Sequence, residues 1–113
     1  MEKRRHQRMV VGNLHADISD GHGFFSGTVE DLSRFGLRLD DVSIRLNDKS
    51  KHFSVIVSGL GKHFKMKARP RWASGKSYSK KVGLEIVNAP LGWTEFVMEH
   101  EPGTDDTWAE ITI

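Results

Sequence analysis

From about residue 24 onward the apolar residues recur at every second position, and no other feature constrains the fold as tightly. Val42, Ile44 and Leu46 alternate with Ser43, Arg45 and Asn47; Phe64, Met66 and Ala68 alternate with Lys65, Lys67 and Arg69. Phe53, Val55 and Val57, and later Val82, Leu84 and Ile86, repeat the pattern. Successive side chains on a strand point to opposite faces, so each run reads as a strand with one face in the core and one in water. Turn formers separate the runs at Gly21 to Gly23, Asn47 to Lys51, Gly59-Leu60-Gly61 and Ser74 to Ser79. A turn centred near Leu60 pairs residue 52 with about residue 68. Five or six short strands joined by short turns predict a small antiparallel barrel or sandwich. A 3.6-residue period appears only at Trp93, Phe96, Val97 and His100, behind Pro90 and ahead of Pro102-Gly103. It predicts one short helix packed on the barrel end. The final Trp108-Ala-Glu-Ile111-Thr-Ile113 reads as either an extra strand or a loosely held tail.

A chain of 113 residues with 37% hydrophobic and 28% charged residues is sized and composed for one globular domain. No apolar run approaches the length of a membrane-spanning helix. The basic N-terminal stretch leads directly into Gly12, Asn13, His15 and Asp17 without an apolar core or cleavage site, so the expected location is the cytoplasm. With no cysteine there is no disulfide framework, no thiolate metal site and no thiol nucleophile.

The net charge of +2 conceals three blocks. Residues 1–8 set Lys3, Arg4, Arg5 and Arg8 against Glu2; residues 9–92 hold thirteen Lys or Arg against eight acids; residues 93–113 hold six acids and no Lys or Arg. The expected organisation is a flexible basic arm over 1–9, a barrel with its terminal helix over 10–100, and an acidic tail over 101–113. Opposite charge raises local ligand concentration, so the front end favours an anionic ligand.

Two short motifs fall in that front half. The first, Arg4-Arg5-His6-Gln7-Arg8, spaces two arginines by four residues. Arg4 and Arg8 then lie on one side whether the segment is extended, about 13 Å apart, or helical, about 6 Å apart along the axis. A guanidinium binds phosphate oxygens or the O6/N7 edge of guanine with two parallel N–H groups and also stacks on a base. The bland reading is a solubilising tail. The second motif, Asp31-Leu32-Ser33-Arg34-Phe35-Gly36, lies between the strand-like Phe24 to Glu30 and Leu37 to Leu39. Asp and Ser close turns by bonding nearby amides, and Gly36 supplies a backbone able to take positive φ. An ordinary hairpin corner needs no more than that, but a carboxylate placed there can also accept from the N1–H and N2–H donors of guanine.

Taken together, the pair resembles the signature of the PilZ domain family, an Arg-x-x-x-Arg in an N-terminal arm followed one strand later by Asp/Asn-x-Ser-x-x-Gly. Val82-Gly83-Leu84-Glu85-Ile86 looks like that family's late Gly-containing strand, with Ile86 where the family often has Phe. The resemblance runs from residue 4 to about 100. It implies an all-β domain with one C-terminal helix, a six-stranded antiparallel barrel that binds cyclic di-GMP. By that resemblance Arg4 and Arg8 clamp the phosphates and stack on or bond the guanines, Arg5 assists, and Asp31, Ser33 and Gly36 form the base-recognising corner. The implied protein is a stand-alone receptor without cofactor. It changes conformation on binding and signals to a separate downstream protein.

Two other readings compete. A small barrel with a basic stretch from Lys62 to Lys81 can hold single-stranded nucleic acid, but Phe64 alternates inward and only Trp72 and Tyr78 remain as candidate stacking residues. No DNA or RNA partner is therefore expected. A protein adaptor that binds no nucleotide is the other alternative, against which both motifs stand complete. Catalysis is not expected, since His6, His15, His22, His52, His63 and His100 show no metal-ligand spacing.

Overall fold

A computed structural model describes residues 8–75 and 77–101. Arg4, Arg5, the rest of the first seven residues and the acidic tail beyond Glu101 lie outside the described residues, as does the Trp108 to Ile113 segment. Six strands, β1 (His15–Ser19), β2 (Phe24–Ser33), β3 (Gly36–Ser43), β4 (Phe53–Gly59), β5 (Lys62–Gly75) and β6 (Ser79–Asn88), precede one helix, α1 (Leu91–His100). They close into an antiparallel barrel in the order β1-β2-β3-β6-β5-β4, with β4 returning to β1. Closure removes the free strand edges that an open sheet leaves unpaired.

The alternation read from sequence is the inward face. Val55 and Val57 of β4, Met66 and Ala68 of β5, and Val82 and Leu84 of β6 are all buried in one core. Leu60 and Gly61 both take positive φ, the two-residue hairpin geometry that matches strand twist. The resulting register sets Phe53 opposite Ala68, one residue from the pairing expected for that turn. His63 faces Ser58, whose hydroxyl lies 3.1 Å from the imidazole Nδ1.

Two departures have local causes. The alternation at Val42, Ile44 and Leu46 is only partly a strand. A register shift between Leu39 and Val42, with Asp41 at φ 58°, kinks β3, which ends at Ser43; Ile44 is exposed and Leu46 re-enters the core from a turn. Sequence reading also missed β1, whose inward residues are just Ala16 and Ile18.

Asp20 ties the β1–β2 connection to the loop after β3. Its Oδ1 accepts from the amides of His22 (2.8 Å) and Gly23 (2.9 Å), and its Oδ2 from the amide of Asn47 (3.0 Å). The Asn47 bond, then those from His22 and Gly23, hold this carboxyl below its ordinary value. At the other end, Trp93, Phe96 and Val97 of α1 are buried, with Phe64 edge-on to Trp93 at 5.3 Å and tilted against Phe96 at 5.1 Å. Each such burial stabilises by about 1.5–3 kcal/mol. His100, grouped with these by period, is exposed and packs its ring on Phe96 at 4.6 Å.

Because the folded-state pKa of Asp20 is depressed, its contribution is present above the unfolded carboxyl value of about 3.9 and is lost as pH falls through the lower folded value. Thermal melts of wild type and Asp20→Asn should therefore differ most at pH 6–7 and converge as pH drops below about 4. A gap independent of pH would refute the role given to this carboxylate.

Candidate functional site

Backbone register gathers the site. Asp31 on β2 stands opposite Arg38 on β3, Arg38 opposite Gly83 on β6, and Gly83 opposite Trp72 on β5, one rank across four neighbouring strands. Arg8, Leu37, Arg38, Arg71, Trp72, Gly83 and Leu84 line an open cleft of about 210 Å³ along this rank.

The described part of the basic arm reaches it. Met9 exchanges two 2.9 Å backbone hydrogen bonds with Leu32 and buries its side chain, which places Arg8 beside the β2–β3 corner. Arg8 donates to Asp31 Oδ1 through both Nε, at 2.8 Å, and Nη2. On the opposite side, Arg38 Nε lies 3.2 Å from Asp31 Oδ2, near enough for an ion pair but off the hydrogen-bond direction, so this buried donor has no acceptor. One carboxylate thus faces two guanidiniums.

Gly36 serves this arrangement by space. Positive φ among the described glycines falls at Gly21, Gly59 and Gly61, so the corner does not need the conformational freedom anticipated for Gly36. A Cβ at Gly36 would lie 3.3 Å from Arg8 Nη1 and 3.5 Å from Ser33 Oγ. The missing side chain lets the guanidinium close on Asp31, and Ser33 is buried next to it. Arg34, inside the same motif, turns away from the cleft. It donates to both oxygens of Glu101 at 2.8 Å, bonds that raise its pKa, and its carbonyl accepts from Trp93 Nε1 at 3.2 Å. The corner is therefore fastened to the end of α1.

Sequence reading did not single out Arg38, Arg71 or Gly83 as ligand residues, and it named Trp72 only as a candidate stacking residue for single-stranded nucleic acid. Strict alternation from Phe64, Met66 and Ala68 carries Trp72 into the core. A register shift between Pro70 and Trp72 leaves Arg71 unpaired and turns the indole outward, with 45% of the residue exposed. Pro70 was the available signal, because a proline inside a strand marks a bulge. The indole then lies across Gly83, where a Cβ would overlap Trp72 Nε1. Arg71 meets Glu85 at 3.2 Å, and Arg69 meets the same oxygen at 3.3 Å. Among the described residues no three His, Asp or Glu side chains converge as metal ligands, and no helix is long and apolar enough to cross a membrane.

The sequence matches the PilZ domain family model over residues 2–92. The chain belongs to the PilZ family. Its barrel superposes on the Bacillus subtilis inhibitor of motility MotI/DgrA with a TM-score of 0.72 at 15% identity, over 88% of this chain and 50% of that one. This PilZ chain therefore spans half the length of MotI. The PilZ domain of YcgR from Escherichia coli, whose structure holds c-di-GMP, superposes with a TM-score of 0.70 at 12% identity over 98% of both chains. At such identities the likeness is one of fold. A sequence comparison with curated proteins gives no match.

Gly83→Ala places a methyl where the indole rests, so Trp72 must leave the cleft wall at a cost of about 1–3 kcal/mol. Iodide quenching of tryptophan emission should rise in this variant while its circular dichroism stays that of a β-barrel. Unchanged quenching would show that the indole does not depend on this glycine.

Proposed function

We propose that this PilZ domain is a receptor for cyclic di-GMP that passes the signal to a separate protein partner. The observation that carries the reading is the seating of Arg8 against Asp31 at the cleft edge, which joins the arm motif and the corner motif in one place. The c-di-GMP held by the YcgR PilZ domain of the same fold supports it. Arg4 and Arg8 take the phosphates with Arg5 assisting, and Asp31, Ser33 and Gly36 receive a guanine.

The hydrogen bonds of the free protein suit an exchange. Asp31 Oδ1 already accepts twice from Arg8, which fills its two lone-pair directions. Guanine N1–H and N2–H take one carboxylate oxygen each; Oδ2 accepts no hydrogen bond from Arg38, so the second donor competes with Arg8 for Oδ1, and in the proposed binding mode Arg8 gives it up. A phosphodiester group of the ligand, which carries one negative charge, is the natural new partner for the released guanidinium. Ligand binding therefore replaces an internal ion pair with two external contacts, and it changes the surface around Arg8 and Asp31. That altered surface is what a downstream protein reads, and the setting is the cytoplasm.

The test is calorimetric titration of the full chain with cyclic di-GMP. Wild type should bind near micromolar, and Arg8→Ala should weaken binding about ten- to hundredfold, the range of one charge-assisted hydrogen bond. Asp31→Ala should weaken cyclic di-GMP but leave any binding of an oligothymidine strand unchanged, which separates the receptor from a single-strand binder. No heat with wild type at tens of micromolar overturns the receptor reading.

A further inference from the structure

The barrel uses only part of β5 on its β4 side. β4 pairs with it from Lys62 to Ala68, whereas β6 pairs with it from Lys67 to Gly75. Beyond Ala68 the side of β5 that faced β4 has no strand partner among the described residues. Every residue from Arg71 to Gly75 is exposed, on both faces in turn, so this half of the strand projects past the core. Such an edge presents N–H and C=O groups that another strand can meet. A groove of about 310 Å³ runs along it, with Pro70 to Ala73 on one wall and Asp48 and Lys49 of the β3–β4 loop on the other. The loop does not close on the strand: the amides of Lys49 and Ser50 bond to Asn47, and that of Asn47 to Asp20. The buried Lys80 holds the loop in place, donating to the Leu46 carbonyl at 2.6 Å and to Asp48 at 2.9 Å. Both walls are therefore fixed before any partner arrives. The rim is cationic. Arg69 and Arg71 share one oxygen of Glu85, and Lys49 has no ion pair among the described residues.

From this placement we infer that the outer edge of β5, from Trp72 to Gly75, docks an extended acidic segment of a protein partner, which adds as a strand beside β5 with its carboxylates toward Arg69, Arg71 and Lys49. The inference deepens the receptor reading by giving its separate partner a place and a chemistry, yet strand addition itself needs no nucleotide. Main-chain hydrogen bonds along an exposed edge supply affinity in this mode, and flanking side chains supply the choice. Pro70, with no N–H to give, and the bulge at Arg71 blunt the start of the edge, as strand edges are blunted against indiscriminate pairing. Charge is the second filter. Two copies of this edge laid together would oppose arginine to arginine, which disfavours self-pairing. A nucleic-acid backbone would meet the cations but brings no N–H to the edge carbonyls. An acidic strand satisfies both the ladder and the charge. Arg71 and Trp72 also line the cleft described above, so the two sites share a wall.

The test is a titration of the isotope-labelled full chain, without nucleotide, with the peptide acetyl-(Glu-Val)4-amide, followed by amide resonances and hydrogen exchange. Saturable shifts confined to Arg71 through Gly75 and the facing Asp48 and Lys49, with slowed exchange of edge amides, are expected. Full N-methylation of the peptide backbone removes the strand hydrogen bonds and keeps the charge. It should weaken binding about ten- to hundredfold, the range of two such bonds. Acetyl-(Lys-Val)4-amide should not bind. Lys49→Glu/Arg69→Glu changes two residues outside the cleft lined by Arg8 and Arg38; it should weaken the acidic peptide at least about tenfold and leave cyclic di-GMP binding as in wild type. Should that variant fail to fold, the N-methylated peptide on wild type still decides. No shift at millimolar peptide, or equal binding by the N-methylated peptide or by the variant, overturns the docking edge. Three results overturn the separate partner by naming another occupant. An oligothymidine strand that shifts the same amides more strongly assigns the edge to nucleic acid, and edge shifts that depend on dilution without peptide assign it to a second copy. Tighter peptide binding by Asp105→Asn/Asp106→Asn/Glu110→Gln assigns it to the chain's own acidic residues. Failure of wild type to bind cyclic di-GMP overturns the receptor reading and leaves the docking edge standing.

Discussion

One carboxylate, Asp31, sits between two arginines that come from different parts of the chain, Arg8 ahead of the barrel and Arg38 on β3. The carboxylate offsets the repulsion between the two guanidiniums, and it is itself on a strand whose register is fixed by the buried face. Everything around the cleft follows from holding that triple together. Gly36 leaves room for Arg8, Met9 pairs with Leu32 to bring Arg8 within reach, and Arg34 fastens the corner to Glu101 at the end of α1. The ion pairs are part-exposed, so their worth to stability is small. Their consequence is positional.

Under the proposed function, such an arrangement lets a rigid barrel respond to a small dianion. Closed antiparallel barrels do not flex easily, because each strand is bonded on both sides. The contact between Arg8 and Asp31 lies outside the ladder and can be exchanged without breaking it. A ligand that offers phosphate to the arginine and N–H donors to the carboxylate satisfies both groups in their new state, which keeps the exchange close to neutral in hydrogen bonds. On the proposed function, the exchange alters the surface around Arg8 and Asp31.

Much of the barrel was legible because its inward face is written as alternation: Phe53, Val55, Val57 and Phe64, Met66, Ala68 need no tertiary knowledge to be read as strands. The corner at Asp31 to Gly36 was legible as a motif, though Gly36 proved to matter for its lack of volume. The strand His15–Ser19 was hidden because Ala16 is a weak apolar signal amid polar neighbours. The juxtaposition of Trp72 and Arg38 was hidden for a deeper reason. Residues 31, 38, 72 and 83 share a rank only after three strand pairings, each with a register shift, have been set. In the sequence Arg38 is one more charged residue on a wet face, and Gly83 one more glycine in a strand. Proximity of this kind is a property of register.

The exchange at Asp31 is most directly observed in the arginine side-chain Nε–Hε resonances of the full chain, with Arg8 assigned through an Arg8→Lys variant, before and after saturation with cyclic di-GMP. The Arg8 signal is expected to shift away from its carboxylate-bound position and to take on coupling or proximity to ligand phosphorus. A ligand that binds while the Arg8 signal stays in place, still paired with Asp31, would contradict the exchange.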